Sequence, residues 1–498
     1  MPLVARSFLV VTLAAASLLA GCNRAGQDGG VVQANYPVLP QADLDRREKV
    51  RRDLAVDLKA QRQQLLAGRT EPVDARPLPQ SPVQVAALSA NDKPPISATA
   101  QTQLALATPT PVAITKPDIA EQDTVVPGER NGLQRFHAKL AALEDGWRAK
   151  PITILHLGDS HVASDSFSRG IRRAFQARYG DAGRGMVIPA KAFKYGVADQ
   201  ISMSASGAWK SRTALKIRKG GGFGLSGVSV TSAQNGAVMK LVARKQPFDE
   251  VRVTVMTGPK LGRFKVTVGN KSEIFSARAA KWGSKQVVMK AKGRRLSVTA
   301  LGGGAVSVLN WSTLRNRPGI RYVNFGLIGA TVSITQRFSE ARMLADIKRL
   351  DPDLIIYGYG TNEGFQDGLK LSAYVKEAKV LTRKFLKAAP NADLVYVGAA
   401  SGLRKRGKGK TCGGGWRTPP KLDAVRKAVR GLAKEQNAAY WDWAQFMGGR
   451  CGINAWAGQG LAARDRVHLT PKGYAKSAQA FARFLMRPSG APVTVASN

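Results

Sequence analysis

The chain has 498 residues, enough for two or three domains, and its 44% hydrophobic content excludes a fibrous or wholly disordered protein. Its 76 Lys and Arg against 34 Asp and Glu give a net charge of +42, which attracts polyanions. Nucleic acid would be the default partner of such a surface in the cytosol, but the N-terminus argues against that compartment.

The first 22 residues have the features of an export signal. Arg6 precedes an apolar stretch, Phe8 to Ala20, that is too short to predict a membrane-spanning helix. The tetrapeptide LAGC resembles the bacterial lipobox, which implies cleavage before Cys22 and lipidation of that residue; an ordinary secretory signal is the alternative. Because Asn23 follows, where Asp would favour the inner membrane, we expect a periplasmic protein with a lipid anchor in the outer membrane.

Two segments follow the signal and precede the first predicted domain, within residues 23–130. Ala42 to Leu66 is charged, rich in Ala and Leu, and free of Gly and Pro, which predicts an exposed helix or a short coiled coil. The stretch 70–127 contains ten prolines among Ala, Thr, Ser and Val, a composition typical of a flexible tether.

Ordered structure is predicted from Asn131. A helical face with three- and four-residue steps is formed by Leu133, Phe136, Leu140, Leu143 and Trp147. A short apolar strand from Ile152 to Leu157 follows, and helical spacing returns with Phe167, Ile171 and Phe175. This order of elements is the start of an α/β layer fold.

From 191 to 321 the pattern changes to short runs of alternating apolar and polar residues, which predict an antiparallel β-sandwich. The α/β pattern then resumes with helices at about 333–350, 372–389, 421–437 and 471–485 and strands between them. We therefore predict one α/β domain with a parallel sheet, made of residues 131–190 and 322–487, interrupted by a sandwich at 191–321 and followed by a tail at 488–498.

The tripeptide Gly158-Asp159-Ser160 lies at the carboxyl end of the first predicted strand, where open α/β sheets place their sites. At the start of the following helix, the Ser160 N–H and the helix dipole can stabilise a negative oxygen. A serine is a weak nucleophile, so it needs a base within hydrogen-bond reach and a third group that orients the base.

Four histidines compete for the role of base. His137 is expected at the surface and His156 in the core of its strand. His161 is adjacent to Ser160, and because adjacent side chains diverge it is better suited to a supporting or substrate contact than to direct pairing. His468 follows Asp465 by three residues, ahead of a helix that Thr470 and Pro471 can begin, and it is the best base.

Four blocks in this order resemble those of the SGNH (GDSL-type) hydrolases: Gly158-Asp159-Ser160, a glycine in Ile328-Gly329-Ala330-Thr331, Gly360-Thr361-Asn362-Glu363, and Asp465-x-x-His468. Within that superfamily, the chain from Asn131 to Met486 resembles bacterial peptidoglycan O-acetylesterases with an inserted carbohydrate-binding-like β domain. The resemblance implies an SGNH-type (flavodoxin-like) three-layer α/β/α fold.

The resemblance also implies roles for individual residues. Ser160 would be the nucleophile, His468 the general base and Asp465 its orienter. The oxyanion would be held by the N–H of Ser160, the N–H of Gly329 and the side-chain amide of Asn362, with Gly326 as the alternative glycine.

Three further residues are expected to contact the reacting residues and hold them in position: Asp159, His161 and Glu363. Glu363 departs from the family pattern, which has Asp at that position; because Asn362 supplies the donor, we expect little loss of chemistry.

The remaining cysteines, Cys412 and Cys451, are expected to form one disulfide in an oxidising compartment, with two unpaired thiols as the alternative. No Cys/His spacing of zinc type occurs, so neither a metal nor a cofactor is expected. The segments GKGKT at 407–411 and KGGGFGLSG at 219–227 resemble phosphate loops without the required strand and helix, so they predict no nucleotide partner.

These expectations converge on an esterase that removes O-acetyl groups from cell-wall polysaccharide, with acylated peptidoglycan as substrate. The basic run RKRGKGK at 404–410 could contact that polymer, although a solvated loop is the commoner interpretation. A polysaccharide O-acetyltransferase with the same triad is one alternative, and a non-catalytic glycan-binding lipoprotein is another. The sequence gives no indication of oligomeric state.

Overall fold

The computed structural model describes residues 128–192 and 198–488. Cys22, the helix predicted at 42–66, the tether at 70–127 and the tail after Pro488 lie outside the described residues. Within those two ranges, no helix combines the length and hydropathy needed to cross a membrane.

The strands, numbered along the chain, are β1 Gly128–Glu129, β2 Ile152–Gly158, β3 Gly185–Val187, β4 Ile201–Ser206, β5 Lys210–Thr213, β6 Val228–Ser232, β7 Val238–Ala243, β8 Phe248–Thr257, β9 Arg263–Val268, β10 Lys271–Ser276, β11 Gly283–Gly293, β12 Arg295–Ala300, β13 Val306–Leu314, β14 Ile320–Gly326, β15 Leu354–Gly358, β16 Asp393–Val397 and β17 Ala439–Trp441. The α-helices are α1 Gln134–Glu144, α2 Ser160–Ala163, α3 Ser166–Tyr179, α4 Glu340–Leu350, α5 Thr361–Gly364, α6 Leu371–Ala388, α7 Leu422–Glu435, α8 Trp443–Phe446, α9 Gly452–Gly458 and α10 Pro471–Met486.

The central sheet has the strand order β1-β17-β16-β15-β2-β14. Five of these strands are parallel, which confirms the predicted α/β class. The sixth, β1, is a two-residue edge strand that pairs antiparallel with β17 and was not indicated by the sequence pattern. The parallel arrangement brings the carboxyl ends of β2, β14 and β15 to one edge of the sheet.

Helices cover both faces of this sheet because its strands are apolar on both sides. In β15, Leu354 and Ile356 belong to the cluster that packs with α1, α3 and α10. Ile355 and Tyr357 belong to the cluster on the opposite face, with α4, α6 and α7. The result is the three-layer α/β/α arrangement.

The insertion forms two antiparallel sheets, ordered β10-β9-β12-β7-β4 and β11-β8-β13-β6-β5, and β3 pairs with β13 beside the second sheet. Residues of α4 are among those that contact the insertion. The Asp346 carboxylate accepts a hydrogen bond from the Leu225 N–H at 3.0 Å, and Arg342 donates to the carbonyls of Gly222 and Gly283. The predicted interruption of the α/β domain by a sandwich is therefore present.

Two predicted helices differ from the structure. The helix α1 ends at Glu144, so Trp147 lies beyond it and is 67% exposed instead of sharing the buried face. The helix predicted at 333–350 is broken into a 3₁₀ segment, Val332–Arg337, and α4. The break occurs because the Ser339 N–H donates to the Phe223 carbonyl of the insertion, at 2.9 Å, instead of continuing a helical ladder.

Candidate active site

Three glycines in register form the floor beneath the predicted nucleophile. Gly158 ends β2 and lies opposite Gly326 of β14 on one side and Gly358 of β15 on the other. A Cβ atom at Gly158 would lie 2.6 Å from the Gly358 carbonyl oxygen, and one at Gly326 would lie 2.2 Å from the Ala163 nitrogen. The turn after β2 can therefore pack directly onto the strand ends only because these positions lack side chains.

Ser160 is the first residue of α2, at the edge of the sheet, and is 5% exposed. Asp159 caps this helix, because its carboxylate accepts a hydrogen bond from the His161 N–H at 3.0 Å. The helix is a single turn. The chain then passes through Asp165 in a left-handed conformation into α3, so the predicted helical spacing belongs to that second helix.

The structure brings Ser160, His468 and Asp465 together. His468 Nε2 lies 2.9 Å from Ser160 Oγ, and His468 Nδ1 lies 2.6 Å from Asp465 Oδ2. The other carboxylate oxygen, Asp465 Oδ1, accepts from the backbone N–H groups of Val467 and His468.

These hydrogen bonds decide the charge of Asp465. Burial acts to raise its pKa, but the bonds from His468 and from the two backbone N–H groups outweigh burial and lower the pKa to about 2. An ionised carboxylate accepts the Nδ1 proton of His468, which leaves Nε2 free to accept the Ser160 hydroxyl proton.

The other histidines have different partners. His161 Nδ1 bonds to the Tyr474 hydroxyl at 2.9 Å, and burial followed by the charge of His468 lowers the pKa of His161 to about 3. The ring centre of His161 lies 5.5 Å from that of His468, so His161 packs against the proposed base. His156 is buried within β2 and bonds to the Tyr322 hydroxyl, and His137 bonds to the Leu485 carbonyl.

The loop after β14 approaches the same edge of the sheet. Gly329 has a φ of 74° there, a backbone conformation that glycine adopts without strain. The side-chain amide of Asn362 donates to the Ala330 carbonyl at 2.8 Å, which holds this loop against α5. An amide nitrogen carries two protons, so one remains to act as an oxyanion donor. Gly326, the alternative glycine, packs against the Asp159–Ala163 turn.

Glu363 also holds the loop after β14 through a hydrogen bond. Its Oε1 atom accepts a hydrogen bond from the Val332 N–H at 2.7 Å. The carboxyl is buried, and burial raises its pKa to about 8, so it is neutral at pH 7. Burial likewise raises the pKa of Asp159 to about 6. Asn362 and Glu363 together fix the Gly329 loop on both sides of Thr331.

Tyr474 and Trp443 support this site but were not predicted. Tyr474 lies on α10 and bonds to His161, and Trp443 stacks on Phe167 with ring centres 4.5 Å apart and lies 5.1 Å from the His161 ring. Their spacing is that of ordinary core residues, so no sequence signal distinguished them.

A disulfide links Cys412 to Cys451, and Cys451 directly precedes α9. Within residues 128–192 and 198–488, no group of three or more His, Cys, Asp or Glu side chains has the arrangement of a metal site.

Comparison with known proteins agrees with this architecture. The GDSL-like lipase/acylhydrolase family matches residues 297–476, a range that includes His468, Asp465 and Asn362 but not Ser160. A solved structure of a peptidoglycan O-acetylesterase is 26% identical and superposes with a TM-score of 0.62 over 72% of this chain and 97% of that chain. The chain contains an SGNH hydrolase domain of the GDSL type.

The SGNH domain is a carboxylic ester hydrolase, close in structure to peptidoglycan O-acetylesterases. No curated protein sequence matches the chain. A family two carbohydrate esterase from Cellvibrio japonicus covers 57% of this chain and 98% of its own at 12% identity, with a TM-score of 0.23. That likeness is too low to support an argument.

Proposed function

We propose that the SGNH domain removes O-acetyl groups from peptidoglycan through an acetyl-Ser160 intermediate. The observation that carries this proposal is the 2.9 Å contact between Ser160 Oγ and His468 Nε2, with Asp465 on the opposite ring nitrogen. This is the arrangement of a nucleophile, a general base and an orienting carboxylate.

In the first half-reaction, Ser160 Oγ attacks the acetyl carbonyl carbon while its proton passes to His468 Nε2. The resulting imidazolium is stabilised by the Asp465 carboxylate. The N–H groups of Ser160 and Gly329 and the second amide proton of Asn362 stabilise the tetrahedral oxyanion. When the intermediate collapses, the sugar oxygen leaves with the proton from Nε2, and the acetyl group remains on Ser160.

In the second half-reaction, water replaces the sugar. His468 Nε2 takes a proton from the water as its oxygen attacks the acetyl-Ser160 carbonyl. Collapse of the second tetrahedral intermediate returns the proton to Ser160 Oγ and releases acetate. The net reaction consumes one ester and one water and yields one sugar hydroxyl and one acetic acid.

The choice of substrate is supported by the similarity to the solved peptidoglycan O-acetylesterase. The similarity covers 72% of this chain, which is more than residues 131–190 and 322–487 make up, so it extends into the insertion as well as the α/β layers. The large positive charge of the chain is consistent with a polymer that carries carboxylates.

The proposal is tested by acetate release from 4-nitrophenyl acetate and from O-acetylated peptidoglycan. We expect the wild type to release acetate from both and Ser160→Ala to release it from neither. Full activity of Ser160→Ala would end the assignment. Transfer of acetyl to an added chitooligosaccharide at a rate above that of hydrolysis would identify the protein as a transferase instead.

We further propose that the protein is held at the outer membrane by lipid on Cys22. The signal-like N-terminus is the support for this location, and the Cys412–Cys451 disulfide is consistent with an oxidising compartment. Labelling with radioactive palmitate should mark the wild type and not Cys22→Ala; equal labelling of both would reject the anchor.

A further inference from the structure

Residues Arg404–Arg417 form a short loop that we call the basic hairpin. Its ends pair through two backbone hydrogen bonds, Arg404 N–H to the Arg417 carbonyl at 2.9 Å and Arg417 N–H to the Arg404 carbonyl at 2.8 Å. Nearer its tip, the Cys412 N–H donates to the Trp416 carbonyl at 2.8 Å. The basic run is exposed, as a solvated loop would be, and these hydrogen bonds hold the backbone on either side of it.

The basic hairpin is fastened to the loop that carries Asp465 and His468. Leu403, just before the hairpin, donates its N–H to the Arg466 carbonyl at 2.8 Å. Asn454 bridges the two, since its amide donates to the Cys412 carbonyl and its oxygen accepts from Arg466 Nε at 3.1 Å. The disulfide from Cys412 to Cys451 is a covalent tie from the hairpin to the start of α9.

Trp416 positions cations from both loops. The Lys405 ammonium lies 5.3 Å from the Trp416 ring centre, and the Arg466 guanidinium lies 5.4 Å from it. These are cation–π distances. Arg466 is next to Asp465 and two residues before His468, so its contact with Trp416 joins the hairpin to the loop that carries two residues of the proposed triad.

Most of the hairpin's charge is not neutralised. Arg404 pairs with Asp367 at 2.6 Å. Lys405, Arg406, Lys408 and Lys410 are exposed, and no carboxylate of the described residues lies within ion-pair distance, 4.0 Å, of any of them. Because hydrogen bonds hold the backbone at Arg404 and Lys410, on either side of this run, binding an anion there requires less loss of backbone entropy than in an unrestrained loop.

We propose that the basic hairpin binds carboxylate groups of the glycan strand whose ester is hydrolysed at Ser160, so that the enzyme prefers anionic over neutral O-acetylated polymers. This inference rests on the proposed function, which it deepens by assigning the charge of the substrate and the surface that recognises it. We expect small neutral esters to react at Ser160 without help from the hairpin.

The test compares the wild type with Lys405→Gln/Arg406→Gln/Lys408→Gln. The matched control is Lys376→Gln/Lys387→Gln/Lys434→Gln, which removes the same charge from exposed positions on α6 and α7. The measurements are kcat/KM on O-acetylated peptidoglycan, kcat/KM on 4-nitrophenyl acetate, and co-sedimentation with peptidoglycan whose acetyl groups have been removed by base.

We expect the hairpin variant to lose about 10-fold in kcat/KM on acetylated peptidoglycan at low salt, an electrostatic effect that shrinks at high salt. It should keep wild-type activity on 4-nitrophenyl acetate and co-sediment less than the control variant. Soluble polygalacturonate, which carries carboxylates, should compete with peptidoglycan for the wild type, whereas neutral dextran should not.

The inference would be overturned by equal losses in the hairpin and control variants, by an equal loss on 4-nitrophenyl acetate, or by equal competition from dextran. A polymer that carries phosphate and competes better than polygalacturonate would also overturn it, by assigning the hairpin to phosphate. Failure of the proposed function looks different, because the wild type would then release no acetate from either ester, while co-sedimentation would still report on the hairpin.

Discussion

His468 Nε2 lies 2.9 Å from Ser160 Oγ, although 308 residues separate the two along the chain. The contact forms because β2 delivers Ser160 to one edge of the parallel sheet, and the loop before α10 ends at the same edge. Thr470 fixes the start of α10 by accepting a hydrogen bond from the Gly473 N–H, and Pro471 occupies the first turn. The position of the base is therefore set by helix capping two residues away.

Asp465→Asn tests the orienting role of the carboxylate. The amide keeps the shape but no longer favours the His468 tautomer with its proton on Nδ1, so we expect kcat on 4-nitrophenyl acetate to fall by about 10³–10⁴. The measurement is steady-state kinetics with a melting curve as a folding control. A fall of less than tenfold in a folded variant would show that Asp465 does not orient the base.

Asn362→Ala tests the side-chain oxyanion donor. The substitution removes an amide that also donates to Ala330, and we expect kcat to fall by about 10²–10³ with little change in KM. Glu363→Ala is the matched control, because it releases the same loop at Val332 without removing an oxyanion donor. If both variants lose kcat equally, Asn362 acts by holding the loop and not as a donor.

Glu363→Gln tests the buried carboxyl through the pH dependence of stability. Burial raises the pKa of Glu363 in the folded state to about 8, above its ordinary value of 4.5. Ionisation therefore opposes folding, and the stability contributed by the neutral form is lost as pH rises from about 4.5 to 8. The amide cannot ionise but can still accept from the Val332 N–H.

The free energy of unfolding of Glu363→Gln relative to wild type should therefore increase from pH 5 to pH 9, by on the order of a few kcal/mol, and its relative melting temperature should increase with it. Differential scanning calorimetry at several pH values measures the difference. A difference that is the same at pH 5 and pH 9 would contradict a raised pKa at this position.

Cys412→Ser/Cys451→Ser tests the disulfide. The bond closes a sequence separation of 39 residues, so its loss should lower the free energy of unfolding by about 2–4 kcal/mol. Because the bond ties the basic hairpin and not the triad itself, kcat on 4-nitrophenyl acetate should stay within about twofold of wild type at a temperature where both are folded. Loss of that activity in the folded variant would place the hairpin inside the catalytic machinery.

Much of the fold could be predicted because its signals are local. Three segments each carry their own hydrophobic period or cap: the strand ending at Gly158, the helix starting after Thr470, and the block at Asn362. The rule that open α/β sheets place their sites at the carboxyl ends of strands located Ser160. Elimination among the four histidines and the resemblance to the SGNH hydrolases then identified His468 as its base.

What could not be predicted depends on contacts between distant segments. Ser339 breaks a helical pattern because the Phe223 carbonyl, from the insertion, captures its N–H. Trp147 fits the helical spacing, but the helix ends before it. No periodic pattern in the sequence indicates the hydrogen bond from Asn362 to Ala330 or the packing of Trp416 beside Arg466.

The central claim is that Ser160 is the nucleophile activated by His468, and covalent labelling tests it most directly. A fluorophosphonate should phosphonylate the wild type once, and peptide mass spectrometry should place the adduct on Ser160. Under the same conditions, folded His468→Ala should label at least 100-fold more slowly, in line with the usual 10²–10⁴ contribution of a general base. An adduct on another residue, or labelling of His468→Ala at the wild-type rate, would contradict the account.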